Sequence, residues 1–241
     1  MPSITIHPLA IVTFERLAGL RAFIDLLDDS LPEVESRQRE ALRKSAAEEG
    51  WDPGEYTIEN EILDERFGHW MPRLSAYSII VLLQSLLETQ LFACAEWVGS
   101  RESTVFRPRD FLGSRRGTMD VAVLYLRKAP GVEVTGDPVW SRLKDLQQLR
   151  DIIVQRSGTR GEAEEHQKGF DRLIQQYAPR LSVAEGADWL HGEIWVSLIL
   201  CRDFARDLGG FFARTLKAIG VPEGAIPREY RGAGGGGLTS A

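Results

Sequence analysis

The chain has 241 residues, 43% of them hydrophobic and 27% charged, with a net charge of −6 and a pI of about 5.4. Such proportions exclude wholesale disorder. The acidic balance argues against a protein that holds nucleic acid through its overall field, while leaving room for a local basic pocket.

The opening residues carry no basic stretch followed by an apolar run, so no export signal is expected. The most apolar segment, Ile79 to Leu83, is closely flanked by Ser78, Gln84 and Glu88. It reads as too short and too interrupted to span a bilayer, and no membrane partner is expected. Cys94 and Cys201 sit in apolar helical patterns with no His or Cys at ligand spacing. They read as buried thiols in a reducing, cytoplasmic setting.

In chain order, Pro8 to Leu27 has helical apolar period and is expected to stop before Pro32. Val34 to Glu49 reads as a second, largely solvated helix. Trp51-Asp52-Pro53-Gly54 breaks it, with Asp52 as a cap and Pro53 in the next first turn. Tyr56 to Phe67 is a short acidic helix. Pro72 to Gly99 is the most apolar helix and is expected to be central. Glu88 interrupts its surface and needs a partner if buried; it is either an exposed or salt-bridged acid or an anchor for an arginine near Arg150.

Arg101 to Gly117 reads as a broken segment carrying Arg101, Arg107, Arg109, Arg115 and Arg116. It is either a solvated connector or the rim of a phosphate-binding groove. Met119 to Lys128 is a short helix ended by Pro130-Gly131. Asp137 and Pro138 then cap and open the helix of the stretch Trp140 to Gly158, whose stripe is Trp140, Leu143, Leu146, Leu149 and Ile153. Ser157-Gly158 stops it. His166 to Tyr177 is amphipathic and closed by Pro179. Leu181–Val183 and Glu193–Val196 allow a short hairpin, and Ile194 to Ile219 reads as the last long helix, weakened at Gly209-Gly210. The expectation is an all-α fold, an up-and-down bundle of about six to seven helices. It forms a single domain over 1–230, with a core near 70–218, helices 8–67 packed on it and a Gly-rich tail 231–241.

No phosphate loop, dinucleotide fingerprint, zinc-protease helix or nucleophile elbow is present. The four histidines are scattered, so neither metal ligands nor a cofactor can be nominated.

What remains is the apolar helix with an internal acid, Leu82-Leu83-Gln84-Ser85-Leu86-Leu87-Glu88, the helix around Tyr125-Leu126, and Leu149-Arg150-Asp151-Ile152-Ile153-Val154-Gln155-Arg156-Ser157-Gly158. Over roughly residues 70 to 218 the chain resembles the HEPN superfamily, helical domains of prokaryotic toxins and antiviral ribonucleases. The last segment looks like that family's Arg-x-x-x-x-His signature, with Asp151 at its polar position. The resemblance implies metal-independent RNA cleavage in a composite cleft of a homodimer, within a bacterial defence or toxin–antitoxin system that includes an antitoxin or other partner protein. Arg150 would hold the phosphate, Asp151 would orient it, and Arg156, Arg115 and Arg116 would contact RNA. Glu88 would support Arg150 from behind.

The chain departs from the pattern where the family has its catalytic histidine: it has Gln155. An imidazole titrates near neutrality, whereas a carboxamide has no titrating group and only hydrogen-bonds. Cleavage through this position is therefore expected to be strongly reduced or absent, leaving a degenerate ribonuclease, a non-catalytic module that binds RNA, a nucleotide or a protein, or a purely structural dimerising domain in which Arg150 and Asp151 only form salt bridges. Residues five apart are about 140° apart around a helix, so Arg150 and Gln155 do not share a face. The regulatory tyrosine of some such toxins is replaced by Ser157.

Overall fold

The structure, a computed structural model, describes residues 7–101, 107–111, 117–184 and 192–231. The fold is all-α, with one small antiparallel hairpin among the described residues. The helices are α1 (Pro8–Glu49), α2 (Pro53–Glu65), α3 (Met71–Arg101), α4 (Thr118–Lys128), α5 (Trp140–Arg156), α6 (Glu164–Tyr177) and α7 (Leu198–Ala218). Strands β1 (Leu181–Val183) and β2 (Ile194–Val196) pair with Leu181 opposite Val196. The last helix therefore begins after the strand rather than at Ile194.

The chain gathers into two compact units, each built from separated segments. Unit 1 comprises Met1–Leu20, Val81–Arg150 and Asp203–Ala241; unit 2 comprises Arg21–Ile80 and Asp151–Arg202. Helices α1, α3, α5 and α7 contribute residues to both. The core of unit 1 is made by Leu83, Leu87 and Leu91 of α3, Leu143, Leu146 and Leu149 of α5, and Phe204, Phe211 and Phe212 of α7, all fully buried. Burying such side chains is the main favourable term, about 1.5–3 kcal/mol for each large one. Unit 2 buries Ile79 and Ile80 of α3 with Ile152, Phe170, Leu173, Leu181 and Ile194.

The largest departure from the sequence reading is α1, a single helix of 42 residues with Pro32 inside it. A proline cannot donate to the carbonyl four residues earlier and its ring crowds that carbonyl. Here Pro32 lies on the exposed side of the helix, where water can serve the freed carbonyl. Ion pairs flank it on both sides: Arg202 holds Asp25 (2.9 Å) and Asp28 (2.8 Å), and Arg39 holds Glu35 and Asp64 (2.6 Å each).

Other signals behave as their chemistry requires. Asp52 caps α2 through the Gly54 and Glu55 N–H groups, and Glu55 answers with a bond from the Asp52 N–H, a full capping box. A wide helical turn, Arg66–Trp70, joins α2 directly to α3. By length and composition alone, the helical run Pro53–Arg101 is long and apolar enough to cross a membrane, a test that a buried core helix also passes. Of its most apolar stretch, 56% is buried inside the protein, as in a core helix. Gly209-Gly210 does not interrupt α7: a Cβ on Gly209 would collide with the Tyr230 ring, so the glycine serves a close approach.

Candidate functional site

Helix α5 carries the motif, and both of its ends are held. At its start, Asp137 Oδ1 accepts from the Val139 N–H (3.0 Å), and the same buried carboxylate takes the Arg214 guanidinium through Nε (2.6 Å) and Nη2 (2.8 Å). A fully buried carboxylate persists only when paired in this way. Leu143, Leu146 and Leu149 line the buried face, which continues through Ile152 rather than Ile153. At the end, Ser157 and Gly158 adopt φ of 51° and 86°, and the Gly158 N–H bonds to the Ile152 carbonyl at 3.0 Å. A Cβ on Gly158 would run into the Tyr77 hydroxyl. Tyr77 in turn donates to the Ile194 carbonyl at 2.9 Å, and burial pushes its pKa up to about 12.

In unit 1, Arg150 Nη2 meets Glu88 Oε1 at 3.1 Å. Buried Gln84 donates through Nε2 to the same oxygen at 3.0 Å. Glu88 thus has the arginine partner that its place on an apolar helix demands. Both side chains of the ion pair are 27% exposed. At that exposure the pair contributes little stability, on the order of 1 kcal/mol or less. Its consequence is geometric: a guanidinium has five N–H donors in a rigid fork, and anchoring one end orients the rest.

The boundary between the two units falls between Arg150 and Asp151. In unit 2, Asp151 is half-buried and Gln155 is exposed. Arg156 is half-buried and donates through Nη1 to the Arg160 carbonyl at 3.1 Å. Arg115 and Arg116 lie outside the described residues. Of the same arginine-rich segment, Arg109 bonds Glu96 (3.0 Å from Nε) and Arg101 stacks over Trp97 at 4.6 Å. Those two guanidinium groups are engaged by the protein itself.

Among the described residues, no group of three or more His, Cys, Asp or Glu is arranged to hold a metal ion. Cys94 and Cys201 are buried, and burial pushes both thiols up to about 12, far from the thiolate a nucleophile needs.

No family model, curated protein or solved structure matches the chain. The Asp137–Arg214 pair escaped the sequence reading because its partners lie 77 residues apart, and the Gln84–Glu88 bond because a glutamine on an apolar helix carries no pattern that names its partner. A buried Asp at a helix start and a Gln one turn before Glu88 were the available signals.

Proposed function

We propose that this chain is a HEPN-like helical module of a bacterial defence or toxin–antitoxin system, dimeric and cytoplasmic, that engages RNA without cleaving it efficiently. The observation that carries the reading is Arg150: a guanidinium aligned by Glu88 and still reachable by solvent. A fixed guanidinium is a phosphate-binding group. Phosphate affinity needs only that donor, whereas transesterification also needs a group that moves a proton, typically worth about 10²–10⁴-fold in rate. Gln155 cannot supply it. Asp151 would orient the arginine, Gln155 and Arg156 would line the cleft, and an antitoxin or other system protein would be its regulator.

The test is fluorescence anisotropy with an end-labelled, mixed-sequence single-stranded RNA, followed by a gel of the same samples. The wild type is expected to bind and leave the RNA intact. Arg150→Ala is expected to weaken binding about tenfold, equivalent to about 1.4 kcal/mol, with its helical circular dichroism unchanged. Equal affinity of wild type and Arg150→Ala overturns the reading. Fragments that disappear in Arg150→Ala would establish a ribonuclease instead.

A further inference from the structure

Helix α2 and the start of α3, both within unit 2, carry an apolar strip that the core does not use. Ile58, Ile62, Trp70 and Leu74 are 59%, 42%, 36% and 50% exposed. The buried side of the same run is made by Leu63, Phe67, Ala76 and Tyr77. Single exposed apolar residues are ordinary, whereas a contiguous run of large ones marks a contact surface. Every fourth residue of an α-helix drifts about 40° around the axis, so such a strip would wind away from itself. The wide turn Arg66–Trp70 prevents this. At its end the Met71 N–H bonds the Arg66 carbonyl five residues back, and the larger turn takes the drift out again. The four side chains thus keep to one side over roughly 24 Å. Arg66 occupies the position between Ile62 and Trp70, and an arginine stem is itself apolar.

The borders of the strip select what can cover it. Helix α2 has Glu55, Glu59, Glu61, Asp64 and Glu65 and no basic residue. Asp64 is taken by Arg39 of α1, and Glu55 by the Asp52 N–H. At 100° per residue, Glu59 falls on one flank of the isoleucine pair, and Glu61 and Glu65 fall on the other. A second copy would press the same carboxylates against these, in a chain already at −6. An anionic lipid surface is repelled in the same way. A helix with an apolar stripe bordered by Lys or Arg matches the strip and its flanks together.

We propose that this strip docks a basic amphipathic helix of a partner protein. The partner's apolar side chains lie on Ile58, Ile62, Trp70 and Leu74, and its cations face Glu59 on one border and Glu61 and Glu65 on the other. Trp70 is the anchor, since a large aromatic ring contributes the most area to such a contact. This gives the wide turn between α2 and α3 a purpose: it keeps the strip straight enough for one helix to follow. The surface is independent of Arg150 and of any RNA.

Fluorescence anisotropy at neutral pH and low salt tests it on the full chain, with three labelled helical peptides of about 18 residues. The first has leucines spaced three and four apart with lysines on both borders. The second has the same composition with the leucines scattered around the helix. The third repeats the first with glutamates in place of lysines. The first is expected to bind at least about tenfold more tightly than either of the others. Replacing Ile58→Ser and Leu74→Ser together, both exposed and uncharged, is expected to remove that advantage with helical circular dichroism unchanged. A scattered peptide that binds as well would show attraction by charge alone, and a glutamate peptide that binds as well would show burial without charge selection. Equal affinity of the double variant would put the peptide elsewhere. Each of these overturns the proposal, as does a dimer in sedimentation velocity that the wild type forms and the double variant does not, because the strip would then join two copies. The comparison of the three peptides uses only the wild-type protein, so it stands whether or not the variant folds.

Discussion

At the scale of single residues, the chemistry turns on position 155. A carboxamide there can hold a phosphate or a base edge but cannot carry a proton, so on the proposed reading the site would keep its recognition group and lack its catalyst. Restoring an imidazole by Gln155→His is expected to produce RNA fragments at least about 10²-fold above the wild-type background, by gel assay of labelled RNA. No gain would mean that α5 does not bring this position to RNA. Tyr77 offers a second test at this scale. Its folded-state pKa is about 12 against about 10 for an exposed tyrosine, so the native state holds the proton more tightly than the unfolded one. The stability it contributes is complete below pH 10 and is lost as the pH rises from 10 to 12. In urea titrations at pH 9 and pH 11, wild type is expected to lose more stability across that interval than Tyr77→Phe does.

At the scale of elements, the legible parts were those where local chemistry decides. Asp52, Asp137 and Ser157-Gly158 mark helix ends because an N-cap carboxylate or a left-handed residue satisfies orphaned backbone groups from within the same few residues. The hairpin and the Arg150–Glu88 contact were also visible, one from β-branched runs and the other from an acid on an apolar helix. What local rules misplaced was settled by distant partners. Pro32 reads as a stop, yet Arg202, far off in sequence, ties down the turn before it, and Arg39 on the same helix links the turn after it to the remote Asp64. Gly209-Gly210 reads as a weak point, yet the Tyr230 ring packs where a Cβ would be. The stripe on α5 runs through Ile152 because it keeps the spacing of three set by Leu143, Leu146 and Leu149, which winds the buried face gradually around the helix. Because α1 is one helix, Pro32→Ala restores a backbone bond and is expected to stabilise the protein by roughly 1–3 kcal/mol, part of the ~3 kcal/mol that an interior proline costs. A chemical denaturation curve reads this directly. An unchanged midpoint would indicate two helices that stop at the proline.

At the scale of the whole molecule, composition and helical periodicity were enough to fix the all-α class. They could not show that the chain gathers into two units from interleaved segments, because that depends on pairings remote in sequence. The net charge of −6 sets a further constraint. An acidic protein repels RNA at long range, so any affinity must come from a few local contacts and must fall as salt rises. The most direct measurement of the central claim is therefore the slope of log affinity for single-stranded RNA against log salt concentration, for wild type and Arg150→Ala. If Arg150 is a phosphate contact, its loss lowers the slope by about 0.7 per phosphate released, with a larger change if two copies share the cleft. Parallel lines for the two proteins would contradict the account.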